Sequence, residues 1–385
     1  MLHQDLEQRL RVAVTAVLAD AKTDALIVRP CPDPKFGDYQ TPSLMALAKD
    51  RKLNPRQLAT EVLVCLDVSE WCDRVDLVGG GFLNFRLKLP AIAQMLQAAA
   101  RGDHLFFRKT DTPRTIVIDF SSPNVAKPMH VGHIRSTILG DCLARTLRLL
   151  GHRVITDNHL GDWGTQFGML IAGWKRHLDP ALLQTDPFGE MERLYRKVHA
   201  ASKENPATLE EARQELVALQ SGDPENLAIW RKMQSLSQAQ FDGIYGRLGV
   251  KFDHTLGESF YNPRLRATVD ELGRRGIARE SEGARCVFSD GSLPPKEDPF
   301  LIHEEGEWRP NPCLIQKSDG GFNYATTDLA TLAYRLETWH PDEIIYVTDG
   351  RQQLHFRQIF AAFRRCVCSP IKYWRKNIYF LYQIL

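Results

Sequence analysis

Between Thr115 and Thr156 the hydrophobic period of the chain switches from strand to helix and back, and this constrains the fold more than any other feature. Thr115-Ile-Val-Ile-Asp-Phe120 is a short apolar run of strand type. A loop follows from Ser121 to His130. Ile134, Ile138, Cys142, Leu143, Leu147 and Leu150 then recur at helical spacing, and Gly151 ends the helix. Arg153-Val-Ile-Thr156 is the next strand. Such a β-loop-α-β unit implies a parallel pair and a right-handed crossover. In α/β sheets of this kind, ligands bind in the loops at the carboxyl ends of the strands.

The rest of the chain is organised around this unit. Residues 1–108 read as a separate small α+β domain. Leu6, Leu10, Val14 and Leu18 have helical spacing, and a Pro-rich stretch at Arg29–Pro34 interrupts the pattern. Asn54-Pro55 is a helix start, with Asn as cap and Pro in the first turn. Leu83, Phe85, Leu87 and Leu89 alternate with polar residues, which predicts a half-buried strand, and Pro90 opens a further helix. Residues 109–365 form the second domain. Its stretch from about 170 to 250 is helical and polar, broken at Asn205-Pro206 and Gly222-Asp-Pro224. Strands are predicted at Arg285–Ser289, at Cys313–Lys317, at Phe322–Tyr324 and at Glu343–Thr348. Helices are predicted at Thr327–Leu336 and Gln353–Arg365.

Composition removes several classes. Hydrophobic residues make up 43% and charged residues 25%, enough apolar material for a sizeable core. No run approaches the ~18 apolar residues of a membrane span, and the N-terminus lacks the build of a signal peptide. The eight cysteines include no CxxC pair, so they read as reduced cytoplasmic thiols rather than a disulfide framework or a zinc ribbon. Net charge is +2, but seven Lys/Arg and no acid lie from Arg351 onward, which leaves −5 on residues 1–350. An acidic body with a basic end still binds nucleic acid through local patches.

The loop after the first strand reads Ser121-Ser-Pro-Asn-Val-Ala-Lys-Pro-Met-His-Val-Gly-His133. Two imidazoles three residues apart stand at a helix N-terminus, where free backbone N–H groups and the helix dipole favour anions. Gly132 removes a side chain, so a base or phosphate can approach. His130 and His133 can donate to phosphate oxygens as charge develops there. Lys127 adds a mobile positive charge. The sum reads as a nucleotide-phosphate site.

These residues carry a resemblance. Asp119 to Asp141, through Ser-Ser-Pro-Asn-Val-Ala-Lys-Pro-Met-His-Val-Gly-His, resembles the "HIGH" region of class I aminoacyl-tRNA synthetases, and specifically of arginyl-tRNA synthetases. His159–Gly168, Gly257–Tyr261, Lys317–Gly321 and Tyr324–Ala330 are similar to further signatures of that family, as is Gly81–Phe85 in the N-terminal domain. The resemblance implies a Rossmann-like catalytic domain with a parallel sheet, preceded by an N-terminal domain that contacts tRNA. It implies ligation of L-arginine to tRNA(Arg) with ATP as substrate and Mg²⁺ accompanying the nucleotide. By resemblance, His130, His133 and Lys127 serve catalysis. Pro123, Asn124, His130, Gly132 and His133 meet ATP. Asp119, Ser122, Asn124, Tyr324, Asp328 and Gln352 hold arginine. A guanidinium is a planar fork of donors that carboxylates meet in pairs, which suits Asp119 and Asp328. Asp328 also reads as an ordinary acid near a helix start. No dedicated metal cage is expected, no membrane, and a monomer in the cytoplasm.

Two departures from the family pattern matter. No second signature loop of "KMSKS" type is present, and Lys127, three residues before His130, resembles the lysine that substitutes for it in some members. The resemblance also stops near Arg365. Residues 366–385 hold five aromatics and no acid and read as an atypical tail, with the anticodon-binding domain absent. A reading-frame shift near residue 365 would produce such a change. The alternative reading is a catalytically inactive truncated fragment or paralogue that binds ATP, arginine or RNA. A third is another small-molecule adenylyltransferase of the same superfamily.

Overall fold

A computed structural model describes residues 2–102, 107, 109–366 and 378–383. The chain divides into two units, Met1–Lys109 and Thr110–Leu385. In the first, helix Leu2–Val17 buries Leu6, Leu10 and Val14. Asn54 caps helix Pro55–Cys65 by accepting from the amides of Arg56 and Gln57. Strands Arg29–Pro30, Tyr39–Thr41, Phe82–Leu87 and Cys72–Val78 lie side by side in that order, all antiparallel. Leu83 and Phe85 point into the core this sheet shares with the helices.

In the second unit we label the elements in chain order: β1 (Thr115–Phe120), α1 (Val131–Leu149) and β2 (Arg153–Asn158). A helical stretch follows as α2 (Thr165–His177), α3 (Pro180–Thr185), α4 (Pro187–Glu204), α5 (Pro206–Ser221) and α6 (Pro224–Leu248). Then come β3 (His254–Thr255), α7 (Glu258–Arg274), β4 (Ala278–Ser281), β5 (Ala284–Val287), β6 (Leu301–Glu304), β7 (Glu307–Pro310) and β8 (Cys313–Gln316). The last are α8 (Tyr324–Trp339), β9 (Glu343–Asp349), α9 (Gln353–Cys366) and β10 (Ile378–Gln383). The parallel sheet has the order β10-β9-β1-β2-β3, with β1 at its centre. This is the α/β class that the β-loop-α-β pattern predicts.

The period-2 alternation of the central strands divides the core. Ile116, Ile118 and Phe120 of β1, with Ile345 and Val347 of β9, face the side packed by α1 and the helical stretch. Val117, Ile344 and Tyr346 face the side packed by α8 and α9.

Several local expectations need correction. Helix α1 does not bury the apolar stripe the sequence suggests. Ile138, Leu139 and Cys142 are exposed, and the buried positions are Ser136, Thr137, Gly140 and Ala144. The cause is close approach: a Cβ at Gly140 would lie 2.2 Å from the Phe120 ring, so only small side chains fit against the sheet. Phe322–Tyr324 is not a strand. Phe322 makes a single bridge with Gln316, and Asn323 caps α8 by accepting from the amides of Ala325 and Thr326. The 366–385 stretch is described only at Cys366 and at 378–383, where β10 pairs in parallel with β9. The remaining tail residues lie outside the described set, so the reading of an atypical tail is not addressed there.

Candidate active site

The site is built at the carboxyl ends of β1 and β2. Directly after β1 the backbone turns through two left-handed residues, Ser121 (φ 74) and Ser122 (φ 48). Non-glycine residues adopt this region at a cost of roughly 1–3 kcal/mol each, so surrounding contacts must hold them. They do. The Ser121 amide donates to Ser136 Oγ at 3.2 Å, and Ser121 Oγ shares a 2.8 Å bond with the Tyr245 hydroxyl. The Ser122 amide donates to Asn158 Oδ1 at 3.0 Å, and Asn158 Nδ2 donates to the same Tyr245 oxygen at 3.1 Å. Thr137 Oγ1 lies 2.8 Å from Ser121 Oγ and 2.7 Å from the His133 carbonyl. A continuous polar chain thus runs from the end of β2 through α6 to the start of α1.

Beyond the turn, the loop pairs with the segment after β2. The Val125 amide donates to the Gly161 carbonyl and the Gly161 amide to the Pro123 carbonyl, both at 3.0 Å. A Cβ at Gly161 would come within 2.2 Å of Asn124 Oδ1, so a larger residue there would push the Asn124 side chain aside. Pro123 is buried, whereas Asn124 and Lys127 are exposed. Lys127 Nζ lies 6.0 Å from the centre of the Tyr195 ring on α4.

The two histidines cap their own helix. His130 Nδ1 accepts from the Gly132 amide at 3.1 Å, and His133 Nδ1 accepts from the His130 amide at 3.2 Å. Their rings stack with centroids 3.9 Å apart. A nitrogen that accepts from an N–H carries no proton, so in each neutral ring the proton sits on Nε2. Burial and the neighbouring His130 push His133 down to about 4, which keeps it neutral near pH 7. The outcome is two fixed Nε2–H donors at a helix start. The Gly132 amide, expected to be free for an anion, is instead consumed in setting the tautomer.

Below the turn lies a buried ion cluster. Asp119 of β1 pairs in register with Asp157 of β2 on one side and Tyr346 of β9 on the other. Strand parity turns all three toward α8, where Arg335 is fully buried. Arg335 Nη2 donates to Asp119 Oδ2 at 2.6 Å and to Asp157 Oδ2 at 2.8 Å. Its guanidinium carbon stands 5.2 Å from the Tyr346 ring centre. Burial pushes the Asp157 carboxyl up, although Arg335 pulls the other way. Asp119, which the resemblance assigns to bound arginine, is thus already engaged within the chain. Its carboxylate already holds the chain's own guanidinium, and its other oxygen accepts from Ser122 Oγ at 2.9 Å.

Asp328 is different. It lies one turn inside α8, whose cap is Asn323, so it is not an ordinary helix-start acid. Its Oδ2 accepts from His355 Nε2 of α9 at 2.5 Å, and its Oδ1 lies 3.9 Å from His159 Nε2. Tyr324 is exposed and stands edge-on to His355, centroids 4.8 Å apart. Gln352 is exposed in the turn between β9 and α9. Glu258 starts α7, and burial beside Asp328 and Asp162 pushes its carboxyl up to about 8. Asp162 accepts from the Ser259 amide, from Ser259 Oγ and from Gln234 Nε2, so it ties α6 to α7. Trp163 meets Trp230 edge-on at 5.7 Å, within the core.

The structure thus places the sequence-derived residues in three groups: the stacked pair at the start of α1 (His130, Gly132, His133), the turn after β1 (Asp119, Ser122, Pro123, Asn124) and the surroundings of Asp328. Arg335, Asp157, Tyr245 and His355 escaped the sequence reading, and His159 and Glu258 stood inside quoted signatures without a role of their own. Parity alone puts Asp157 beside Asp119. The other five come from helices or turns whose placement no local pattern encodes.

Comparison with known proteins gives consistent results. Residues 94–375 match the family model described as tRNA synthetases class I (R), catalytic domain, and residues 4–87 match that of the arginyl tRNA synthetase N terminal domain. An arginine–tRNA ligase of Thermosynechococcus vestitus is 44% identical over 368 residues, 95% of this chain and 61% of the relative. One of Rhodopirellula baltica is 37% identical, over 89% of this chain and 62% of the relative. The chain therefore spans about three fifths of these relatives' length. The crystal structure of arginyl-tRNA synthetase from Plasmodium falciparum superposes with a TM-score of 0.71 at 26% identity, covering 99% of this chain and 64% of that one. The Thermus thermophilus arginyl-tRNA synthetase shares the fold, with a TM-score of 0.70 at 23% identity over 99% of this chain and 65% of that one.

Proposed function

Since the chain belongs to the class I arginyl-tRNA synthetases, we propose that it activates L-arginine with ATP and passes the arginyl group to tRNA(Arg). The arginine carboxylate attacks the α-phosphorus and pyrophosphate leaves, giving arginyl-adenylate; a terminal ribose hydroxyl of the tRNA then attacks its carbonyl carbon, and AMP leaves with the acyl–phosphate bond broken. The carboxylate is already ionised, so the first step needs no general base. Alignment and charge stabilisation suffice.

One observation supports this reading above the others: both imidazoles have Nδ1 occupied by a backbone amide and Nε2–H left as donor. Two neutral donors at a helix start stabilise charge that develops on phosphate oxygens without a prior proton transfer. Lys127 adds a cation from the same loop, and Pro123, Asn124 and Gly132 leave room for the nucleotide. Mg²⁺ would arrive on the ATP phosphates, and among the described residues no group of three metal-binding side chains is present. We assign the arginine guanidinium to Asp328, with Ser122 and Asn124 near the reacting end. The resemblance assigns Tyr324 and Gln352 to the same ligand. Asp119 acts through Ser122 and Arg335.

Residues 1–108 take the part of a tRNA-contacting domain in this reading, and 109–365 that of the catalytic domain. Among the described residues no helix is long and apolar enough to cross a membrane, and we place the reaction in the cytoplasm, carried out by a monomer. The alternative of an inactive relative draws no support from the names of the similar proteins. Arginine-dependent ATP–pyrophosphate exchange, with and without tRNA, tests the proposal. Exchange that requires arginine and disappears in His133→Ala is expected. A folded chain that binds ATP yet gives no exchange under either condition would refute it.

A further inference from the structure

We propose that His355 is a positioning residue for arginine recognition: it fixes the rotamer of Asp328 so that the free edge of the carboxylate faces the incoming guanidinium. The inference rests on the assignment of arginine to Asp328 and goes beyond it by naming what aims that carboxylate.

Asp328 stands on α8 and His355 on α9, so their 2.5 Å bond crosses between two helices. His355 donates through Nε2 to one oxygen, Oδ2. A carboxylate has roughly four lone-pair sites, so one such bond leaves most of them open. The other imidazole in reach, His159, stops 3.9 Å from Oδ1, too far for a hydrogen bond. Asp328 is thus held at one oxygen and available at the other. Asp119 is more fully engaged, since it is buried and each of its oxygens already accepts one internal bond.

The histidine is itself braced. Tyr324 stands edge-on to its ring at 4.8 Å, and Phe356 does so at 5.0 Å. Phe356 is buried in the core on that side of the sheet. The imidazole is therefore flanked by two aromatic rings where it leaves α9. Without it, Asp328 regains its rotamer freedom and turns toward His159 or solvent. Positioned groups lose binding when their support goes, although the contacting atom remains.

The competing explanation is that the bond merely ties α8 to α9. Calorimetric titration of the full chain with L-arginine, and separately with ATP, tells these apart. In His355→Ala we expect the Kd for L-arginine to rise about tenfold or more, while the Kd for ATP stays within about twofold. His355→Gln, which keeps a neutral side-chain donor, should recover most of the arginine affinity. Thermal unfolding of each variant runs alongside. If His355→Ala lowers Tm and leaves the arginine Kd unchanged, or weakens ATP equally, the histidine is only a brace and the proposal falls. Asp328→Asn separates the two levels of inference. If it leaves arginine binding intact, the assignment of arginine to Asp328 is wrong. If it abolishes binding while His355→Ala does not change it, only the positioning role is wrong.

Discussion

Replacing Arg335 by methionine removes the single cation from between two carboxylates that face each other across paired strands. Asp119 and Asp157 are laterally in register, and both are buried, with Asp157 fully so. Like charges directly opposite on a sheet repel, and in the native chain one guanidinium bonded to both offsets this. Breaking a buried ion pair by deleting one partner costs roughly 3–5 kcal/mol, because the remaining charge stays desolvated. The contact with Tyr346 adds to the loss, though the two do not sum. We therefore expect Arg335→Met to destabilise its unit by about 4 kcal/mol. For the unit Thr110–Leu385, an unfolding entropy of about 2.1 cal/mol/K per residue makes that a drop in Tm of about 7 °C. Scanning calorimetry on the full chain reads this directly. The pH dependence is the sharper diagnostic. Without Arg335 the two carboxylates share a proton, as close pairs do. The native state then binds more protons than the unfolded chain, so the deficit shrinks on moving from pH 8 to pH 5. The double variant Arg335→Met/Asp157→Asn should recover part of the loss at pH 8. A deficit under about 1 kcal/mol, or one that does not vary with pH, would show that the cluster is not a desolvated charge pair and would refute the argument.

Three further outcomes are expected. Gly140→Ala places a methyl group 2.2 Å from the Phe120 ring, and overpacking of this kind costs roughly 1–3 kcal/mol or more, visible as a lower Tm. His133 is held at about 4, so its imidazole should titrate well below the usual range in an NMR pH series; its contribution to stability is lost as pH falls from the unfolded value near 6.5 toward 4, and His133→Asn should flatten that limb. Glu258 is pushed up to about 8, so between the unfolded value and pH 8 the native state holds a proton the unfolded chain releases; its contribution declines as pH rises through that window, and Glu258→Gln should remove the slope in urea unfolding measured from pH 5 to 8.

The sheet was legible because β1 announces itself by composition and α1 by spacing, and the loop between them had to lie at the ligand-binding end. The helix start at Asn54-Pro55 was legible in the same way. Asn205-Pro206 and Asp223-Pro224, read only as breaks, turn out to be the caps of α5 and α6, and Asp179 and Asp186, which the reading did not single out, cap α3 and α4. The buried face of α1 was misread because spacing reports which positions share a face, not which face meets the sheet. There the distance to Phe120 selects Gly140 and Ala144 over Ile138. The internal partner of Asp119 was missed for a related reason. A carboxylate on an inward-facing strand position needs a partner, but the partner came from α8, more than two hundred residues away. His355 and His159 are non-local in the same sense: each meets Asp328 only after α8 and α9 have packed.

The paired left-handed residues after β1 carry a consequence for how this chain would respond to selection. Ser121 and Ser122 occupy a conformation that glycine adopts freely, and the polar chain through Tyr245, Asn158 and Thr137 keeps them there. A library at position 122 screened only for heat resistance would therefore enrich glycine, which relieves the backbone and deletes the hydroxyl that reaches Asp119. The same library screened for turnover would retain serine. Under the proposed function, the tension held at this corner would set a trade-off between durability and activity, with both ends of it at one residue.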